Sequence, residues 1–80
     1  MNYNIDIVIA DDEDHEELFA EISINDKFVA ILSQENGPDK LELEFPDTES
    51  GLVENLISRK VPLKVLIEST ELARIKLLGE

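Results

Sequence analysis

The sequence predicts an α+β fold, a four- to five-stranded antiparallel meander with one C-terminal helix packed on one face. Two observations predict it. Apolar residues recur with period two as far as Phe45, and the breaks between runs carry turn chemistry. Beyond Pro62 the apolar spacing becomes helical and runs to about Leu78, where Gly79 suits a helix end. None of the connections before Pro46 is long enough for a parallel crossover, so neighbouring strands must be antiparallel.

The first strand is expected over 2–10, where Ile5, Ile7 and Ile9 alternate with Asp6 and Val8. The acidic stretch Asp11 to Glu17 ends it. A second strand over 17–24 alternates Leu18, Ala20, Ile22 and Ile24 with Phe19, Glu21 and Ser23. Asn25 and Asp26 follow, a pair that tolerates the positive φ of a two-residue hairpin. The third strand, 27–34, sets Phe28, Ala30 and Leu32 against Val29, Ile31 and Ser33. After the turn Asn36-Gly37-Pro38-Asp39, a fourth strand over 40–46 sets Leu41, Leu43 and Phe45 against Glu42 and Glu44, and Pro46 stops it. Residues 47–54 read as a polar loop, and 55–61 leave a fifth strand open. Pro62 fits the first turn of a helix over 62–78. One helical stripe holds Leu63, Leu66, Ile67, Thr70, Ala73 and Leu77, and a second holds Val65, Leu72 and Ile75. Either the helix is covered on two sides, or the second stripe meets something outside this chain, with a homodimer as one occupant.

Strict alternation divides the sheet residues between two faces. The face bearing Ile5, Ile7, Ala20, Ile22, Ala30, Leu32 and their equivalents, Phe28 and Phe45 among them, should carry the helix. Asp6, Val8, Phe19, Glu21, Ser23, Val29, Ile31, Ser33, Glu42 and Glu44 should share the other.

Composition limits the chemistry. The 80 residues hold 19 acidic and 7 basic side chains, a net charge of -12, with 42% hydrophobic residues and no cysteine. This is enough apolar content for a single folded domain, which must be held by continuous packing without disulfides. No apolar run approaches the roughly 20 residues of a membrane span. The N-terminus lacks the basic region of a signal peptide, and a cytoplasmic setting is expected. Direct contact with nucleic-acid phosphates needs clustered cations, and this chain presents the opposite field.

Catalysis has few candidates. The one histidine, His15, stands among six acidic residues between Asp11 and Glu17, which favour its charged form and make it a poor general base. It reads as a solvated turn residue, and no enzyme and no cofactor are expected. The run DDEDHEE is rich in oxygen ligands but fails the calcium-loop spacing: counting from Asp11, the sixth position is Glu16 rather than glycine and the twelfth is Ile22 rather than glutamate. No metal site is expected there.

Charge segregation is the most informative feature. Residues 1–58 hold 16 acidic and 2 basic side chains (-14), and residues 59–80 hold 3 and 5 (+2), which sum to -12. The expected sites are therefore surfaces. The open sheet face would offer Asp6, Glu21, Glu42 and Glu44 around the apolar anchors Phe19, Val29 and Ile31. The acidic turn would offer Asp11, Asp12 and Asp14. Both suit a basic protein partner. Solubility and edge protection are the competing role for the same carboxylates.

The runs FVAILSQENG (Phe28 to Gly37), LELEFP (Leu41 to Pro46) and RKVPL (Arg59 to Leu63), with a helix ending LLG (Leu77 to Gly79), resemble small bacterial immunity proteins of polymorphic toxin systems, including contact-dependent growth inhibition. The resemblance implies a cytoplasmic protein that binds and neutralises a toxin's C-terminal effector domain, often a nuclease. It transfers no individual site residue. The alternative class is a non-catalytic acidic interaction or regulatory module, such as a homodimer through Val65, Leu72 and Ile75 or a nucleic-acid mimic directed at a nuclease.

Overall fold

A computed structural model describes residues 3–46 and 54–79. Strands β1 (Ile5–Ala10), β2 (Phe19–Ile24), β3 (Lys27–Ser33) and β4 (Glu42–Glu44) form one antiparallel sheet in the order β1-β2-β3-β4. Helix α1 (Leu63–Leu78) packs on one face, chiefly over β2 and β1. This is the expected α+β meander with a C-terminal helix. The start of the first expected strand at residue 2 and most of the expected polar loop over 47–54 lie outside the described residues.

Turn chemistry fixes the hairpin register. Asn25 and Asp26 both take positive φ, 53° and 67°, the signature of a type I′ turn whose twist matches the flanking strands. Asn25 also closes the turn onto the start of β1: its N–H donates to the Asn4 carbonyl at 2.8 Å, and its side-chain oxygen accepts from the Asn4 N–H at 2.9 Å.

The core lies between the sheet and the helix. Ala20, Ile22, Ile24, Ala30 and Leu32 of the two central strands meet Val65 and Ala73 of α1, with Ile5, Ile7 and Ile9 packed at the β1 side. Small residues make close approach possible: Ala20, Ala30, Ala73 and Ser69 are all completely buried. The Ser69 hydroxyl is satisfied within the helix, donating to the Leu66 carbonyl at 3.0 Å.

Three details differ from strict patterning. The first lies in β3, where Ile22 faces Ala30 but Ser23 faces Phe28, leaving Val29 as an extra, bulged residue. The bulge turns Val29 into the core at 4% exposure and moves Phe28 to the open face. The second is the segment 55–61. In place of a fifth strand, a 3₁₀ turn (Glu54–Leu56) leads into a single parallel bridge between Ile57 and Phe28, and Ser58 N–H donates to the Phe28 carbonyl at 2.8 Å. That bridge occupies the part of the β3 edge that the three-residue β4 leaves uncovered. The third is the end of the expected fourth strand, where Phe45 falls beyond β4 and is 61% exposed.

The helix also turns differently about its axis. Pro62 is its N-cap residue and Gly79 closes it in the left-handed conformation at φ 73°. Its buried stripe is Val65, Ser69 and Ala73, supported by Leu66 and Leu77. Val65 therefore belongs to the core and is unavailable to a dimer surface. Leu72 and Ile75 lie beside Ile5 and Ile7 of β1, whereas Leu63 and Ile67 are exposed on the other flank. The exposed apolar residues thus form two separate flanks instead of one outer stripe.

Candidate functional site

The open face of the sheet is ordered by cross-strand rows. One row runs Val8, Glu21, Ile31 and Glu44, and the next runs Asp6, Ser23 and Phe28. Glu21 and Glu44 share the face but are separated by Ile31, which keeps like charges from standing directly opposite.

The acidic turn folds over one end of this face, and His15 is its fastening. His15 Nδ1 donates to Asp12 Oδ1 at 2.7 Å, and Nε2 donates to Glu44 Oε2 at 3.1 Å and Oε1 at 3.3 Å. Ionised carboxylates only accept, so both ring nitrogens must carry hydrogen for both contacts to form. The hydrogen bond to Asp12 leads in holding the His15 pKa above its ordinary 6.5, Glu44 adds to it, and partial desolvation opposes both. The same His15 bond holds Asp12 below its ordinary 3.8. The imidazole also packs on Phe19, with ring centroids 4.7 Å apart. His15 is therefore a structural clasp, not the solvated turn residue expected from its acidic surroundings.

A second anchor holds the same turn. The Glu35 carboxylate accepts from the backbone N–H of Glu16 at 2.6 Å and of Glu17 at 2.9 Å, and Gln34 donates to the Leu18 carbonyl at 2.9 Å. Phe19, lying beneath the turn, is only 4% exposed.

These contacts sort the expected site residues. Glu44 and Asp12 are tied to His15, and Glu42 accepts from the Asn36 side chain at 2.8 Å. Asp6, Asp11 and Asp14 are exposed, and Glu21 and Ile31 are half-buried. Phe19 and Val29 correct the expected set of exposed anchors: the turn covers Phe19, and the bulge turns Val29 inward.

Between the turn and the hairpin lies a groove of about 490 Å³ that the alternation pattern did not reveal. Phe28 and Ile31 form its floor, with Phe19 at one end, and Leu56 stands at its rim, 55% exposed. Asp12, Glu21 and Asp26 form the walls, and among the described residues no lysine or arginine lines it. Phe28 reaches this face only through the bulge. Leu56 reaches it through the bridge that the Phe28 backbone makes with Ile57. The Asn-Asp turn pair signalled that Asp26 would project at the hairpin; neither of the other two placements has a signature in the local sequence.

Chemically, the groove offers apolar contact and negative potential, and the chain has no cysteine to supply a thiol. Among the described residues, no group of three or more histidine, aspartate or glutamate side chains is arranged to hold a metal ion, and no helix is long and apolar enough to cross a membrane. No protein-family model, curated protein or solved structure matches the chain.

Proposed function

We propose that this protein acts in the bacterial cytoplasm as an immunity protein, binding a basic toxin effector domain, such as a nuclease, and blocking it in a tight complex. The observation that carries this reading is the location of the charge. The balance of -14 falls on residues 1–58, the strand-and-turn part of the chain, where Asp12, Glu21 and Asp26 line an apolar groove on the open sheet face, while residues 59–80 are slightly basic. A surface of that kind steers a cationic protein toward one side and supplies apolar contact where it lands. The likeness of the strand and turn runs to immunity proteins supplies the identity of such a partner.

The test uses the C-terminal domain of the protein encoded immediately upstream. A one-to-one complex on size exclusion, together with rescue of cell growth when both are expressed, is the expected result. A toxic domain that neither co-elutes with this protein nor is neutralised by it overturns the reading.

A further inference from the structure

We infer that the groove walled by Asp12, Glu21 and Asp26 and floored by Phe28 and Ile31 is the docking site for a partner segment that carries an apolar side chain flanked by lysines or arginines. The inference rests on the proposed function only in taking the partner to be cationic, and it adds where that partner binds and what recognises it.

Charge complementarity selects the occupant. The groove has carboxylates on its walls and, among the described residues, no lining lysine or arginine. The Glu21 and Asp26 carboxylates make no hydrogen bond or ion pair among the described residues, whereas Asp12 and Glu44 are paired with His15 and Glu42 accepts from Asn36. Glu21 and Asp26 are therefore the free carboxylates of the groove, while Asp6, also free, lies at the β1 side of the face beside Leu72 and Ile75. A second copy of the chain would bring the same walls and the same net charge of -12, so self-association here is opposed. Anionic lipid and nucleic acid are opposed by the same field.

The floor sets the second requirement. Phe28 and Ile31 are half-buried, and Leu56 leaves more than half of its surface in water beside them. A purely ionic partner would leave this apolar surface wet. A side chain such as leucine or an aromatic, inserted between Leu56 and Phe28, would bury it while neighbouring cations reach Glu21 and Asp26. His15 and Glu35 hold the Asp12 wall in place before the partner arrives, which lowers the ordering cost of docking.

The full chain, labelled with nitrogen-15, is titrated at low salt with three amidated peptides: lysine alternating with leucine, lysine with serine, and glutamine with leucine. The lysine–leucine peptide should bind about tenfold more tightly than either control, with amide shifts centred on Phe28, Ile31 and Leu56. Glu21→Gln combined with Asp26→Asn should weaken it about tenfold, and Glu68→Gln in the helix layer should leave it unchanged. Equal binding of the lysine–serine peptide overturns the apolar requirement, and shifts centred on Phe45, Leu63 and Ile67 overturn the placement. A toxin domain that still binds the Glu21→Gln/Asp26→Asn variant at full strength overturns the groove while leaving immunity intact. Peptide docking in the groove without any toxin complex supports the groove and removes immunity as its use.

Discussion

His15 spans from the acidic turn to the last strand, its Nε2 3.1 Å from Glu44 Oε2 while its Nδ1 holds Asp12 at 2.7 Å. One cationic ring thereby joins two carboxylates that sit 32 positions apart in sequence (44 minus 12). Within a body of -14, placing the single histidine here offsets repulsion where the turn closes over the sheet. The arrangement works only while the ring is charged, because a neutral imidazole has one N–H and would turn a lone pair toward the other carboxylate.

The His15 clasp makes stability pH-dependent in a defined direction. Its folded pKa is raised above 6.5, so its stabilisation is complete below 6.5 and is lost as pH rises through the folded value. Asp12, lowered from 3.8, acts at the other limit: its contribution is present above 3.8 and is lost as pH falls through its folded value. Chemical denaturation across pH should show a decline as pH rises from about 6.5 that His15→Gln removes. Proton NMR should place the His15 titration midpoint above 6.5, and Glu44→Gln should lower it. A midpoint at or below 6.5 in the unaltered protein is incompatible with the clasp.

Alternation, turn pairs and the helix punctuation at Pro62 and Gly79 are properties of short segments, which is why the meander, its two-residue hairpin and the helix limits were legible in the sequence. The groove was less so. Val29 and Phe28 have nearly equivalent local contexts, and only pairing with Ser23 and bridging with Ile57 decide which one turns inward. Asp6, Glu21, Glu42 and Glu44 were rightly placed on one face. Their division into engaged and free carboxylates depends on Asn36 and His15, whose positions come from tertiary folding. The helix was misread in rotation because its buried stripe includes Ser69, a polar residue that packs through its small size.

The bulge predicts opposite tolerances at adjacent residues. Val29→Asp buries an unpaired carboxylate in the core and should cost about 3 kcal/mol or more, enough to unfold so small a domain. Phe28→Gln, on the half-buried open face, should cost about 1 kcal/mol. Urea titrations of the two variants decide it. Greater damage from Phe28→Gln would restore strict alternation.

The hairpin turn leaves stability to be gained. Asp26 holds φ at 67°, a conformation that costs a residue with a Cβ about 1 kcal/mol, and the Asn-Gly pair is the preferred type I′ sequence. Asp26→Gly should therefore raise the unfolding midpoint, an effect worth about 1 kcal/mol, while also removing one groove carboxylate. Stability and peptide affinity should move in opposite directions, which calorimetric unfolding and the peptide titration read separately.

Ser33 offers a second gain. It is 1% exposed, and its hydroxyl has no hydrogen-bond partner among the described residues. Ser33→Ala removes an unsatisfied buried polar atom at little loss of volume, and should stabilise by about 1 kcal/mol. A clear loss of stability on urea titration would show that the hydroxyl is satisfied in solution, for example by an ordered water.

Lys76 protects the exposed side of the sheet. β1 is an edge strand, and Lys76 Nζ reaches from α1 to donate to the Ile7 carbonyl at 2.8 Å, in the middle of that edge. A lysine head group there occupies an acceptor that another strand would use, and its charge must be desolvated before a second chain can pair. Leu72 and Ile75 lie beside the same strand, so an unguarded edge would have apolar surface next to it. Lys76→Met keeps the aliphatic stem and removes the donor and the charge. It should change monomer stability by less than about 1 kcal/mol, since one exposed charge-assisted hydrogen bond is lost and the packing is retained. Its main effect should be concentration-dependent association, measured by sedimentation velocity at moderate salt, where repulsion between chains of net charge -12 is screened. Lys76→Arg, which preserves both donor and charge, should remain as monodisperse as the unaltered protein; equal association of the Met and Arg variants would show that Lys76 does not guard the edge.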